Sequence, residues 1–160
     1  MSTFPPLPPA PAARPRKGLG IKIAVGIALL ATVGGVLVWK AGKSSYRDYQ
    51  IASGAVERFH QQLNAGDYDR IYQGATDEFR GWGKREDLNR FFDNIREKMG
   101  TAGKPSTVGF HVNWRNGAVW VDQTLNTQFE KGKAQEYFVW KIEHDQPRLY
   151  NYRIDSPNLH

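Results

Sequence analysis

The chain has 160 residues, nine prolines, no cysteine and a formal charge of +6. Without cysteine it has no disulfides, thiolate nucleophiles or cysteine-based zinc sites. The charge is unevenly placed. Arg14, Arg16, Lys17, Lys22, Lys40 and Lys43 stand in the first 43 residues with no acid among them, which leaves sixteen basic and sixteen acidic residues for the remainder. A nucleic-acid domain carries its own basic face, so no nucleic-acid partner is expected for a remainder that balances to zero.

Residues 1–20 hold most of the prolines and cannot pack a core, so a disordered cytoplasmic tail with polyproline character is expected. Its PPLPP stretch also resembles ligands of proline-binding grooves. Ile23 to Trp39 is then an unbroken apolar run. Its seventeen residues rise about 25 Å as a helix, just sufficient for a bilayer core. Lys22 and Lys40 can place their amines among headgroups, and Trp39 sits where an interfacial aromatic belongs. A short buried helix would need a polar face, which this run lacks. A cleaved signal peptide is the rival reading, but cleavage after Ala41 or Gly42 would put Trp39 or Lys40 at the −3 position, where a small residue is required. The expectation is an uncleaved span at 21–40 and a linker at 41–45. The tail would then lie in the cytoplasm and the domain at 46–160 outside it. Ala24/Ala28 and Ala31/Gly35 are small-xxx-small pairs, the spacing that lets two spans approach closely in a dimer.

Beyond the linker, Ser44 or Ser45 can cap a helix whose Tyr49, Ala52, Val56, Phe59 and Leu63 share one face. Gly66 ends it. Asp67 caps a second helix carrying Ile71, Tyr72 and Ala75. A third runs from Arg85 to Met99 with a stripe of Leu88, Phe91, Phe92, Ile95 and Met99, stopped by Gly100. The period then changes to two. Val108, Phe110, Val112 and Trp114 alternate with polar residues, and Asn116-Gly117 signals a hairpin. Val119, Val121, Leu125 and Phe129 mark the next strand, Phe138, Trp140 and Ile142 the third, and Tyr150, Tyr152 and Ile154 the fourth. The third and fourth are separated by a turn at His144 to Pro147. Three helices followed by four consecutive strands predict an α+β fold, with the helices on one face of a curved antiparallel sheet.

The phrases LNAGDYDRIYQGATDEFRG (63–81), LNTQFEKGKAQEYFVW (125–140) and LYNYRIDSPNL (149–159) resemble the NTF2-like superfamily, in particular its small bacterial domains of unassigned function. The resemblance covers about residues 46–159 and implies a cystatin-like cone, a curved sheet wrapped around a long first helix. The superfamily includes isomerases, dehydratases, small-molecule binders and non-catalytic assembly subunits, so the fold does not choose among them. The layout of tail, span and domain also resembles an inner-membrane component of type IV secretion systems.

Strand phase puts Gln123 with Val121 and Leu125, and Glu136 with Phe138 and Trp140. Together with Trp114 and Tyr152 these residues could line a pocket for a small apolar ligand. A buried Glu136 could act as an acid or base, but its place near a strand start favours a solvated rim position. Gln123 reads as a hydrogen-bonded core amide. His60 borders the core face of the first helix and would make a dyad with Asp122 or Glu136 only if folding joins them; His111 should face the outer side. No histidine spacing suits a metal, and no phosphate loop or nucleophile elbow is present, so neither metal nor cofactor is expected. Trp82, between Gly81 and Gly83, is either an exposed anchor for a partner or membrane or a lid over the cone's open end. The functional expectation is a non-catalytic interaction or assembly module of the envelope, either homodimeric or bound to an envelope partner.

Overall fold

The computed structural model describes residues 45–159. The expected tail, the expected span and Trp39 lie outside these residues. Among the described residues no helix is long and apolar enough to cross a membrane.

Among the described residues four helices precede four strands. Helix α1 covers residues 45–65, α2 Tyr68–Gln73, α3 Asp77–Arg80 and α4 Arg85–Met99. The strands are β1 Ala102–Arg115, β2 Ala118–Phe129, β3 Gly132–Glu143 and β4 Gln146–Asp155, and a short 3-10 turn, Pro157–Leu159, follows. The strands pair antiparallel in the order β1-β2-β3-β4, a simple meander with β1 and β4 at its edges. This is the expected α+β architecture, with one helix more than the expected three. Helix α3 is a single turn capped by Thr76, whose Oγ accepts from the Phe79 amide at 3.3 Å. Its lone apolar residue, Phe79, has no periodic signal.

The expected stops fall where stereochemistry demands them. Gly66 (φ +71°) and Gly100 (φ +76°) end α1 and α4 in backbone that a side chain resists. A Cβ at Gly100 would lie 2.5 Å from a Glu130 carboxyl oxygen. Asn116 and Gly117 are both left-handed, as a two-residue type I′ hairpin requires. The β3–β4 connection is shorter than expected. His144 and Asp145 form the turn, also left-handed, while Gln146 and Pro147 already belong to β4. Pro105 and Pro147 sit on edge strands, where a missing amide breaks no central ladder.

The helices cover the face carrying Val121, Gln123, Leu125 and Thr127 of β2 and Glu136, Phe138, Trp140 and Ile142 of β3. Helix α1 buries Ala52, Val56, Phe59 and Leu63, and α4 buries Phe92, Ile95 and Met99. Phe91, expected in that stripe, is partly exposed. The rings interlock. Phe59 lies 5.1 Å from Phe138 and 4.7 Å from Tyr152 between centroids, and Phe138 stacks on Trp140 at 5.7 Å. Each such buried ring contributes about 1.5–3 kcal/mol through the water-exposed area it removes, and Phe59→Ala would open the centre.

Two register shifts alter the strand phase. Between Val139 and Trp140 the β3–β4 register slips, so Leu149 rather than Tyr150 faces the core. Tyr150 crosses to the outer face and meets Trp120 edge-on at 4.8 Å, while the Arg115 guanidinium covers that indole at 4.2 Å. Between Thr107 and Gly109 the β1–β2 register slips likewise and leaves Val108 exposed.

Candidate functional site

One polar cluster lies in the apolar centre, and each of its members comes from a different element. His60 sits on α1 one helical turn from Val56 and Leu63, Thr127 on β2, Glu136 on β3 and Tyr152 on β4. The Glu136 carboxylate receives all three of the others. The Tyr152 hydroxyl donates to its Oε1 at 2.7 Å, the Thr127 hydroxyl donates to its Oε2, and His60 Nε2 lies 2.9 Å from Oε2 and 3.1 Å from Oε1. Because carboxylate oxygens accept, Nε2 is the protonated nitrogen of His60. Among the described residues Nδ1 takes no partner. Burial pushes the Tyr152 phenol well above its ordinary range, and the neighbouring Glu136 charge and its hydrogen bond push in the same direction.

Glu136 is 0% exposed. The expected solvated rim position is therefore wrong, and the cause is tertiary. Three donors from distant parts of the chain meet the carboxylate, and charge-assisted hydrogen bonds offset the desolvation that otherwise keeps glutamate outside. Of the two dyads considered, His60–Glu136 forms, while Asp122 lies exposed on the outer face. Thr127 was missed, although it lies two residues beyond Leu125 in the same inward phase.

The five residues expected to line a pocket do not surround one space. Glu136 and Tyr152 pack into the ring cluster. Gln123 is buried and donates to Ser53 Oγ at 3.1 Å, as a core amide should. It borders a cleft of about 150 Å³ between α1 and the β1–β2 ribbon. Trp140 borders a separate cleft of about 80 Å³ beneath α2. Neither cleft is lined by Glu136, His60 or Tyr152, and both are smaller than the few hundred Å³ that an ordinary small ligand fills. Trp114 is 72% exposed and belongs to neither cleft. It occupies an inward register opposite Val119, but at the end of edge strand β1, beyond the cover of the helices. A wider open groove of about 680 Å³ lies at the other end of the outer face among Lys104, Asn126, Gln128, Lys133, Gln135 and Asp155, none of them an expected site residue.

Trp82 stands 53% exposed in the turn between α3 and α4, with its ring 5.3 Å from Phe79. His111 is exposed, as its phase implied. Among the described residues no group of three or more histidine, aspartate or glutamate side chains could hold a metal ion. No protein family matches the chain, and no curated protein is significantly similar to it.

Proposed function

We propose that this chain is a membrane-anchored, non-catalytic module of the NTF2-like type in a bacterial envelope, acting through its surface as an interaction or assembly domain. The run Ile23–Trp39 is the anchor, the N-terminal tail is cytoplasmic and the domain is extracytoplasmic. The meander with helices on one face is compatible with the cone of that superfamily. One observation carries the reading: the acid that a cone enzyme would present to a substrate is spent inside the core. Glu136 has no solvent contact, and three donors of its own chain bind both of its oxygens. A general acid or base must reach the reacting proton, and here α1 or β4 would have to leave first. An apolar ligand in the interior has less support, because rings fill the space it would need.

Alkaline phosphatase fused after His160, combined with carbonate extraction of membranes, tests the placement. The expected outcome is an active reporter on a chain that stays in the carbonate-washed pellet. An inactive reporter, or a chain released by carbonate, overturns the anchored, extracytoplasmic arrangement.

A further inference from the structure

Antiparallel pairing puts the β1–β2 and β3–β4 turns at the same end of the sheet, and the Arg47–Asp145 ion pair fixes the start of α1 there as well. Large apolar side chains stand uncovered at this end. Tyr46 is 63% exposed, Phe110 51% and Trp114 72%. Tyr49 joins Tyr46 and Phe110 into one surface, its ring 6.4 Å from Tyr46 and 4.3 Å from Phe110, with its hydroxyl 3.0 Å from Thr107 Oγ1, and Trp114 follows Phe110 in the same register phase of β1. The Asn116-Gly117 turn, two residues beyond Trp114, marks the limit of this end. Exposed tyrosine, phenylalanine and tryptophan gathered at one end of a small domain call for an occupant.

The chain itself supplies the argument for which occupant. The apolar run stops at Trp39, and five residues, Lys40 to Ser44, separate it from Ser45 of α1. Fully extended, five residues reach at most about 17 Å, so an anchored domain keeps this end close to the lipid. Lys40, Lys43 and Arg47 accompany it, and cations next to a span are drawn to anionic headgroups. Tyrosine and tryptophan, with apolar bodies and polar tips, are the residues that settle at the headgroup level. A second copy pairing along β1 would use the strand's edge; the rings here project from its inward register near the hairpin tip.

We propose that the end formed by Tyr46, Tyr49, Phe110 and Trp114 rests on the headgroup–acyl boundary of the bilayer that holds the chain's own anchor. The inference builds on the anchoring reading above and specifies the partner of this surface. Docking makes the domain a fixed platform, with the β2–β3 turn and the outer-face groove presented away from the lipid.

A chain without cysteine accepts single labelling sites cleanly. Full-length protein carrying Arg115→Cys or, at the opposite end, Lys131→Cys is labelled with an environment-sensitive fluorophore. It is then reconstituted into phosphatidylcholine–phosphatidylglycerol vesicles containing a headgroup-nitroxide lipid and floated on a density gradient. The expected result is flotation of both, strong quenching at 115 and little at 131. Adding Tyr46→Ser and Trp114→Ser should bring quenching at 115 down to the level at 131 while flotation persists. Both replaced side chains are mostly exposed, and retained far-UV circular dichroism verifies the fold. Flotation with equal quenching at the two sites overturns the docking but not the anchor. So does quenching at 115 that survives the double substitution. Label self-quenching at 115 that unlabelled protein dilutes away assigns the surface to a second copy and also overturns the docking. A chain that stays at the bottom of the gradient overturns the anchor, and the docking with it.

Discussion

The two edge strands carry the same kind of sequence and meet opposite fates. β4 reads as an alternation of large residues, and Leu149 and Tyr152 are buried. β1 reads the same way, yet Phe110 and Trp114 face water. The difference lies in what the chain lays over them. Residues 74–76 run beside β4, where the Thr76 amide donates to the Leu149 carbonyl at 2.9 Å and the Leu149 amide to the Gly74 carbonyl at 3.2 Å. Helices α1 and α4 press their rings onto Tyr152. β1 is tied down at its start, where Asn64 exchanges hydrogen bonds with the Ala102 backbone at 2.8 and 2.9 Å, and along Thr107–Phe110, where Tyr49 reaches it. Alternation thus tells which way a side chain points, whereas cover decides whether it is buried.

Substitutions can break or sharpen this contrast. The largest effect is expected at the centre. Glu136→Ala leaves the His60, Thr127 and Tyr152 donors unmatched around a void, and full-length protein in detergent micelles should lose about 3–5 kcal/mol by urea unfolding. A loss below 1 kcal/mol would mean the carboxylate is not the hub described. Next, Tyr152→Phe removes one hydrogen bond to a charged acceptor and should cost about 1.5–3 kcal/mol in the same measurement.

The same residue sets an alkaline limit. In the unfolded chain a tyrosine ionises near pH ~10, whereas burial and the Glu136 charge hold folded Tyr152 well above that. Above the unfolded value the folded state binds more protons, so its stability is complete below pH ~10 and declines as pH rises toward the folded value. Tyr68, raised by its burial and by its hydrogen bond to Asp93, titrates in the same sense. Urea midpoints across the alkaline range should therefore fall for the native sequence and fall less for Tyr152→Phe. An identical slope in the two would remove Tyr152 as a cause.

The smallest effect belongs to β1. Trp114→Ser touches no core contact, and its ring meets detergent or water in the folded and the unfolded chain alike, so the loss should stay within about 0.5 kcal/mol in urea. A loss of several times that would mean the ring is covered by the domain itself.

How far the sequence alone leads depends on the range of the interaction involved. Gly66, Gly100 and Asn116-Gly117 announce their breaks because the reason is local backbone geometry, and the stripes of α1 and α4 announce their faces because burial repeats every turn. Helix α3 stays hidden behind one phenylalanine. Tyr150 is misplaced because a register shift opposite Val139 and Trp140 inverts the phase of β4. The candidate site is the least legible part. Glu136 looks like a rim residue until His60, 76 positions earlier, arrives beside it. Trp114 looks like a pocket wall because nothing in its own neighbourhood says that the helices stop short.

Helix α1 begins at the aromatic end and carries Phe59, His60 and Leu63 into the middle of the sheet. Because Phe59 and His60 hang from this one helix, displacing it would part the ring contacts with Phe138 and Tyr152 and the His60–Glu136 bond at the same time.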